Sequence, residues 1–381
     1  MSRGSCSPDM AAACEVRQLA PADLKALVPE WDELAAAAAE PNPFYESWAL
    51  LPALEAFADG RTLCAAVFRG GRLEALFPLE REARWRGLPA RALRSWRHRH
   101  LLLCAPLVRA GAEADAFSAL LRWAARSGTA SIVELHYLPG DGALRAGLAQ
   151  ALDRHARGWS VDSSFERALL TRAESAEAYI AAALDGDRRR ELKRKERRLK
   201  EAASARYVRL GRDGDGAKWI EDFLRLEAGG WKGKAGGAFA CRDVDRRFAQ
   251  TLFLEAFRRG RLLATGLDVD GKPVARELCL AGGAGSFSFK IAYDEAFGRY
   301  APGLLVELEN IRAFHDTPGL QWMDSFTSAE NTTIGGVWKG RRRIERIAAA
   351  VDGWGAFVRS LVPLARWAKQ KMRGAPAATA S

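Results

Sequence analysis

RLLATGLDVDGKPVARELCL, residues 261–280, is a pair of apolar strand-like runs around the turn Asp270-Gly271. RTLCAAVFRGGRLEALFPLE, residues 61–80, repeats the pattern around Gly70-Gly71, and the turn glycines Gly71 and Gly271 lie 200 residues apart. Asp-Gly and Gly-Gly between such runs mark hairpins, because both central turn positions need φ > 0. The segments C-terminal to the two hairpins are also alike. After the first come the apolar strand-like run Leu101 to Val108, a helix over about 112–127 and the strand SIVELHYL (131–138). After the second come the strand SFSFKIAY (286–293), a helix over about 303–315 and the strand QWMDSF (321–326). Each half therefore reads as one α/β unit, a helix-flanked sheet in which an antiparallel hairpin passes into a β-α-β crossover. The competing reading is two unrelated α/β domains with generic hairpins.

Helices fill the gaps. Pro29 to Ala39 and Tyr45 to Ala58 carry Trp31, Leu34, Trp48, Leu51 and Leu54 at spacings that suit a buried stripe, and residues 141–156 read as another helix before a strand near 161–170. Composition then changes. RRRELKRKERRLK, residues 188–200, holds nine basic and two acidic residues, so +7 of the whole-chain +11 is in this segment. Its apolar stripe is only Leu184, Leu192 and Leu199, which makes it a solvated helix across the surface between the two units. Near the C-terminus, GWGAFVRSLVPLARWAKQKMRG (353–374) places Trp354, Phe357, Val358 and Leu361 on one face and Arg359, Arg366, Lys369 and Arg373 opposite, with Pro363 interrupting. Such a face lies on an anionic membrane or packs on the protein's own sheet.

The length of 381 residues, 48% hydrophobic and 28% charged, is that of a globular chain with a substantial core. No apolar run approaches the ~20 residues of a membrane helix. The N-terminus has no apolar segment of a secretory signal, and the six cysteines contain no C-x-x-C pair, so they read as reduced cytoplasmic thiols. His98 and His100 have no acidic or thiol ligand nearby, so no metal site is expected.

The most distinctive stretch is GSFSFKIAYDEAFGRYAPG, residues 285–303. Strict alternation puts Phe287, Phe289, Ile291 and Tyr293 on one face of a strand and Ser288, Lys290 and Asp294 on the other. A loop then opens a helix with Pro302 in its first turn, where free N–H groups, the helix dipole and Arg299 make a phosphate site.

FKIAYDEAFGRYAPGLLVELENI (289–311) resembles the signature of the CelD/BioF2-like acetyltransferase domain of the GNAT superfamily. NPFYESW (42–48), the Arg-rich helix, LEAGGWKGKAG (226–236), GKPVA (271–275), Asp324 and Trp338-Lys339 have counterparts in the same order. The resemblance runs from about residue 42 to 345, and the larger FemABX peptidyltransferases also have tandem GNAT units. It implies a mixed α/β fold of tandem GNAT-like units: an N-terminal unit over 15–170, a basic helical linker over 171–204 and an acyltransferase unit over 205–373, with disordered residues 1–14 and 374–381. It further implies acyl transfer from acyl-CoA, such as acetyl-CoA, to an amine or hydroxyl of a small molecule or glycan precursor. Arg299, Tyr300, Pro302, Gly303 and Leu304 would hold the cofactor, with strand 321–326 as the other wall. Asp324 and Glu277 are the candidate bases, with Asp294 third or else only a cap of its loop, and each reads equally as a salt-bridged structural carboxylate. Tyr293 or Tyr300 would supply the acid that the usual tyrosine does not, or the leaving thiolate needs no protein acid. Trp231 and Lys232, flanked by glycines, read as a substrate lid or as an exposed loop with a packed Trp; Lys290, Asp294 and Lys339 complete the acceptor side. The loop departs from the GNAT pattern by one more residue before its glycine and by lacking a second glycine. Two rivals stand beside this reading: a FemABX-like aminoacyltransferase using charged tRNA tracked by the basic helix, and a non-catalytic binding module.

Overall fold

The computed structural model describes residues 13–327 and 336–362. In chain order the elements are β1 (Glu15–Leu19), α1 (Val28–Ala36), α2 (Ser47–Phe57), β2 (Thr62–Arg69), β3 (Arg72–Glu82), β4 (Ala92–Ser95), β5 (Leu107–Val108), α3 (Glu113–Arg126), β6 (Ile132–Pro139), α4 (Gly142–His155) and β7 (Trp159–Thr171). Two helices, α5 (Ala176–Ala183) and α6 (Gly186–Ala202), lead to β8 (Ala205–Arg209), α7 (Gly216–Gly229), the one-turn α8 (Trp231–Lys234) and α9 (Asp243–Arg258). Then come β9 (Leu262–Val269), β10 (Lys272–Gly282), β11 (Gly285–Tyr293), α10 (Pro302–Asp316), β12 (Trp322–Asp324), β13 (Gly340–Ala350) and α11 (Gly353–Ser360). Of the expected disordered segments 1–14 and 374–381, residues 1–12 and 374–381 lie outside the described residues, as do residues 363–373 of the C-terminal basic stretch.

Both hairpins form where the turn residues place them: β2–β3 turns at Gly70-Gly71 and β9–β10 at Asp270-Gly271. All strands join one mixed sheet in the order β1-β2-β3-β4-β6-β13-β7-β12-β11-β10-β9-β8, with β5 beside β3. Only β4–β6 and β11–β12 are parallel, each pair joined by a crossover containing a helix. The order reads the same outward from the centre. Its two central strands are exchanged: β7, which ends the first half, lies against β12, and β13, which ends the second, lies against β6. β7 and β13 pair with each other from Gly340↔Leu169 to Ala349↔Trp159, with one bulge between Arg346 and Ile347, so the ladder crosses from one half to the other.

The core is likewise continuous. Asn42 donates from Nδ2 to Ala105 O at 2.7 Å and accepts from Phe44 N at 3.1 Å. That turn drives Phe44 of the first half into the second, where its ring stacks on Phe326 (centroids 4.4 Å) and meets Phe289 at 5.1 Å and Phe287 at 5.7 Å. The basic helix also forms. Asp185 caps α6 by accepting from Arg188 N at 2.8 Å, and Leu192 and Leu199 are its buried residues.

The run Leu101–Val108, broken by Pro106 and readable as strand or loop, is mostly loop. Only Leu107–Val108 of Leu101–Val108 is strand; the rest is irregular backbone with Leu101, Leu103, Cys104 and Ala105 buried. An apolar run signals burial, and here the burial is that of a filling loop.

Candidate active site

β11 and β12 run side by side only for Gly285↔Trp322, Ser286↔Met323 and Phe287↔Asp324. Beyond Phe287, β11 continues to Tyr293 with no strand on that side among the described residues. Its backbone there offers donors to a ligand entering where the strands part. On the opposite edge a bulge breaks the ladder: Ser288 faces Cys279 and Lys290 faces Leu278, leaving Phe289 without a partner. The bulge overturns the expected alternation. Lys290 does not share a face with Ser288. Its Nζ lies over the rings of Phe239 (5.1 Å) and Phe289 (5.4 Å), whereas Ser288 Oγ donates to Glu277 beneath α10 at 2.8 Å.

The strand-to-helix turn carries the second part. Asp294 accepts from Ala296 N at 2.9 Å and so caps a short 3-10 turn, Glu295–Tyr300. Ala301 then adopts φ 55°, and Pro302 opens α10. Pro302 has no N–H, and the Leu304 and Leu305 N–H groups both return to Ala301 O, at 3.0 and 3.1 Å. Among the described residues Gly303 is left as the first-turn N–H without a backbone acceptor. Gly303 also permits close approach of Tyr293: a Cβ there would lie 3.1 Å from Tyr293 Cδ1. Tyr300 is buried among Leu199, Val274 and Leu305, which fixes the turn against α6.

What the turn lacks in backbone amides, α6 supplies as charge. Arg194, Lys195, Arg198, Glu201 and Ala202 of α6 line a cavity of about 480 Å³ together with Arg299 and Tyr300. Glu201 lies 3.4 Å from Arg197, and Lys195 Nζ is 2.9 Å from Glu191. Arg194, Arg198 and Arg299 have no carboxylate partner among the described residues. Three guanidiniums that lack an ion-pair partner among the described residues thus face one cavity, a charge pattern suited to an anion. The α6 residues are the ones that sequence reasoning missed. The signal was present: Arg194 and Arg198 are spaced i,i+4, hence on one helix face.

The expected bases are both sealed. Asp324 has no exposed surface. Arg167 Nη1 lies 3.3 Å from its Oδ1, Arg342 Nη1 lies 3.6 Å from its Oδ2, and Phe326 N donates to Oδ1 at 2.8 Å. Glu277 is also fully buried; its Oε1 accepts from Ser288 and, at 3.1 Å, from Asn310 Nδ2. Burial pushes its carboxyl up to about 7, and burial with the neighbouring Glu277 charge pushes Glu307 up well above the usual range. These two acids form one buried unit that Trp338 Nε1 closes by donating to Glu307 Oε1 at 2.8 Å. The Asp324 and Glu277 carboxylates are thus both closed off from solvent and held by partners from other elements. Tyr293, half-buried at the end of β11, is the catalytic candidate beside the turn.

Trp231 and Lys232 begin a one-turn helix in place of a loose lid. Gly233 serves close packing there, since a Cβ would collide with Ala228 O. Trp231 is 61% exposed, while Lys232 Nζ donates to Ile291 O at 3.0 Å and lies 3.8 Å from Glu227. Burial pulls Lys290 down to about 8, helped by the Lys232 charge, and Lys290 Nζ has no hydrogen-bond acceptor among the described residues. Lys339 is exposed, its N–H donating to Tyr179 Oη at 3.1 Å. The structure thus gathers Arg299, Tyr300, Pro302, Gly303, Leu304, Tyr293 and Asp294 around one turn, and Trp231, Lys232 and Lys290 on the α7–α9 side of β11. Asp324 and Glu277 join neither group. Among the described residues no cluster of three or more His, Cys, Asp or Glu is placed to hold a metal ion.

Residues 186–333 match the family model of the "Acetyltransferase (GNAT) domain". Comparison with the curated proteins gives no match. Among solved structures the chain is similar to FemX, at 11% identity and TM-score 0.54, covering 88% of this chain and 96% of that one. It is also similar to a conserved protein of unknown function from Bacteroides thetaiotaomicron, at 12% identity and TM-score 0.53, covering 85% and 97%. A third is the C-terminal domain of a putative lysylphosphatidylglycerol synthetase from Agrobacterium fabrum, at 10% identity and TM-score 0.52, covering 90% and 96%. At these identities the likeness is one of fold.

Proposed function

We propose that the protein is an acyltransferase that moves an acyl group from acyl-CoA, in the simplest case acetyl-CoA, to an amine or hydroxyl of a small-molecule or glycan-precursor acceptor in the cytoplasm. The observation that carries this reading is the cavity faced by Arg194, Arg198 and Arg299 at the start of α10. It stands at the end of the strand that separates from β12, inside the segment that matches an acetyltransferase domain. The groups present fit a phosphorylated thioester carrier. The arginines and the Gly303 N–H would take the phosphates, Pro302 and Leu304 shape the turn, and Tyr300 holds it against α6.

Bound there, the thioester supplies an activated carbonyl, and the chain's own groups set the rest. A backbone N–H on the free edge of β11 would stabilise charge growing on the carbonyl oxygen. Tyr293 is the group at hand to return a proton to the leaving sulfur. With Asp324 and Glu277 sealed, no carboxylate is assigned as base; an acceptor amine would enter in its neutral form, or lose its proton to water or to neutral Lys290. Lys290 and Lys232, with Trp231 beside them, form the acceptor side.

A second reading has one observation in its favour: Lys193, Arg197 and Lys200, the last two paired with Glu201 and Glu196, line a further shallow cavity of about 470 Å³ along α6, so basic residues continue along the helix beyond the first cavity. A charged tRNA as acyl donor would use that length. Thiol release from acetyl-CoA, assayed with amine and hydroxyl acceptors, tests the first reading. Acceptor-dependent release that falls in Tyr293→Phe supports it, and transfer from aminoacyl-tRNA alone contradicts it.

A further inference from the structure

Large apolar side chains are exposed at four described positions: Val161 (40%), Trp231 (61%), Trp354 (50%) and Phe357 (53%). Trp231 belongs to the candidate site. The others meet at the far end of β7 and β13, around α11. Trp354 and Phe357 are neighbours with ring centroids 5.5 Å apart. The opposite face of α11 is fixed: Val358 is fully buried, and Gly355 packs so tightly that a Cβ would collide with Ser131 O. Trp354 Nε1 donates to Pro89 O at 2.8 Å, and Arg359 Nη2 donates to Ser160 Oγ at 2.7 Å, next to Val161. The aromatic pair is therefore held outward on a rigid base.

The surroundings are cationic. Arg84, Arg91 and Arg157 are exposed. The backbones of Arg91 and Arg157 bond to Ser131 and Ala350, the strand ends on which α11 rests, at 2.9 and 2.8 Å. The nearby acids are spent: Asp162 pairs with Arg86, and Asp352 caps α11 by accepting from Gly355 N at 2.7 Å. The sequence beyond Val362 adds Arg366, Lys369, Lys371 and Arg373 and no acidic residue. A second copy apposed on this face would bring like charges together, so the charge pattern selects an anionic occupant.

We propose that the α11 face docks the protein on an anionic lipid surface, Trp354 and Phe357 entering the headgroup layer while the exposed arginines meet the lipid charge. Indole and phenyl rings favour that layer, and basic side chains gain from anionic lipids within a Debye length. No helix among the described residues is long and apolar enough to cross a membrane, so the contact is peripheral.

The test is co-sedimentation of the full chain with phosphatidylcholine vesicles, with and without about 30% phosphatidylglycerol. Binding to the anionic vesicles should be at least ~10-fold tighter, fall in high salt, and shift tryptophan emission to the blue. Trp354→Ser/Phe357→Ser should weaken it ~10-fold with an unchanged thermal midpoint, since both side chains are half outside the fold. Equal binding to neutral and anionic vesicles, native-like binding by the double variant, or no vesicle binding overturns the proposal. So does lipid-free self-association that the double variant abolishes, which would assign the face to a second copy.

Discussion

The two halves of the sheet share a strand order and differ in what fills the place where their parallel strands part. Beyond β4 and β6 the first half closes the space with its own chain. Trp96, Leu101, Leu103, Cys104 and Ala105 are buried there, Cys104 N donates to Tyr137 O at 3.2 Å, and Tyr45 Oη donates to Trp96 O at 2.6 Å. Beyond β11 and β12 the second half leaves a strand edge free among the described residues, and arginines without an ion-pair partner among those residues stand around the following turn. The same topology thus gives a plug on one side and a cleft on the other. A strand order is shared by many functions, and the side chains at the opening decide which half has one.

The contrast can be broken from either side. Emptying the plug should have the largest effect: Trp96→Ala removes a buried indole and should cost about 3–5 kcal/mol in urea unfolding, with thioester affinity unchanged. A loss of affinity at native-like stability would show that the first half also shapes the site.

Next is the buried acid pair. Glu277 at about 7 and Glu307 higher hold protons that the unfolded chain releases near 4.5. The folded state therefore binds more protons over that window, and stability falls as pH rises from about 4.5 to about 7. Glu277→Gln should flatten the fall in thermal midpoint between pH 5 and pH 8, about the usual range of carboxyl and histidine titration. An unchanged slope contradicts the shared-proton account.

Crowding the cleft should have a smaller effect. Gly303→Val places carbon against Tyr293, so KM for the thioester should rise about 10-fold, near 1.4 kcal/mol. Smallest is Lys290→Met. It removes a cation with no hydrogen-bond acceptor and should raise stability by about 1 kcal/mol while raising KM for the acceptor. If only stability changes, Lys290 leaves the site.

Much of this was legible in residue order. Turn residues and alternation located both hairpins, and Pro302 located the start of α10. The exchange of β7 and β13 was not legible, because pairing Gly340 with Leu169 is a tertiary choice that neither strand's pattern encodes. The bulge at Phe289 hid Lys290 in the same way, since alternation assumes an unbroken ladder. The α6 charge is legible in amount but not in place. Residue order sets it about a hundred residues away from the Arg299 turn, and the fold brings Arg194 and Arg198 against that turn. Asp324 and Glu277 show the reverse: carboxylates on the expected strands whose partners, Arg167, Arg342 and Asn310, come from other elements of the fold.

The central claim is that α6 and the β11–α10 turn form one anion site for the acyl carrier. Calorimetric titration of acetyl-CoA into the native chain and into Arg194→Glu/Arg299→Glu tests it directly. The account predicts binding that weakens with salt in the native protein and is lost in the variant, whose thermal midpoint stays native because both side chains are exposed. Native-like affinity in the variant, or no binding by the native chain, would contradict it.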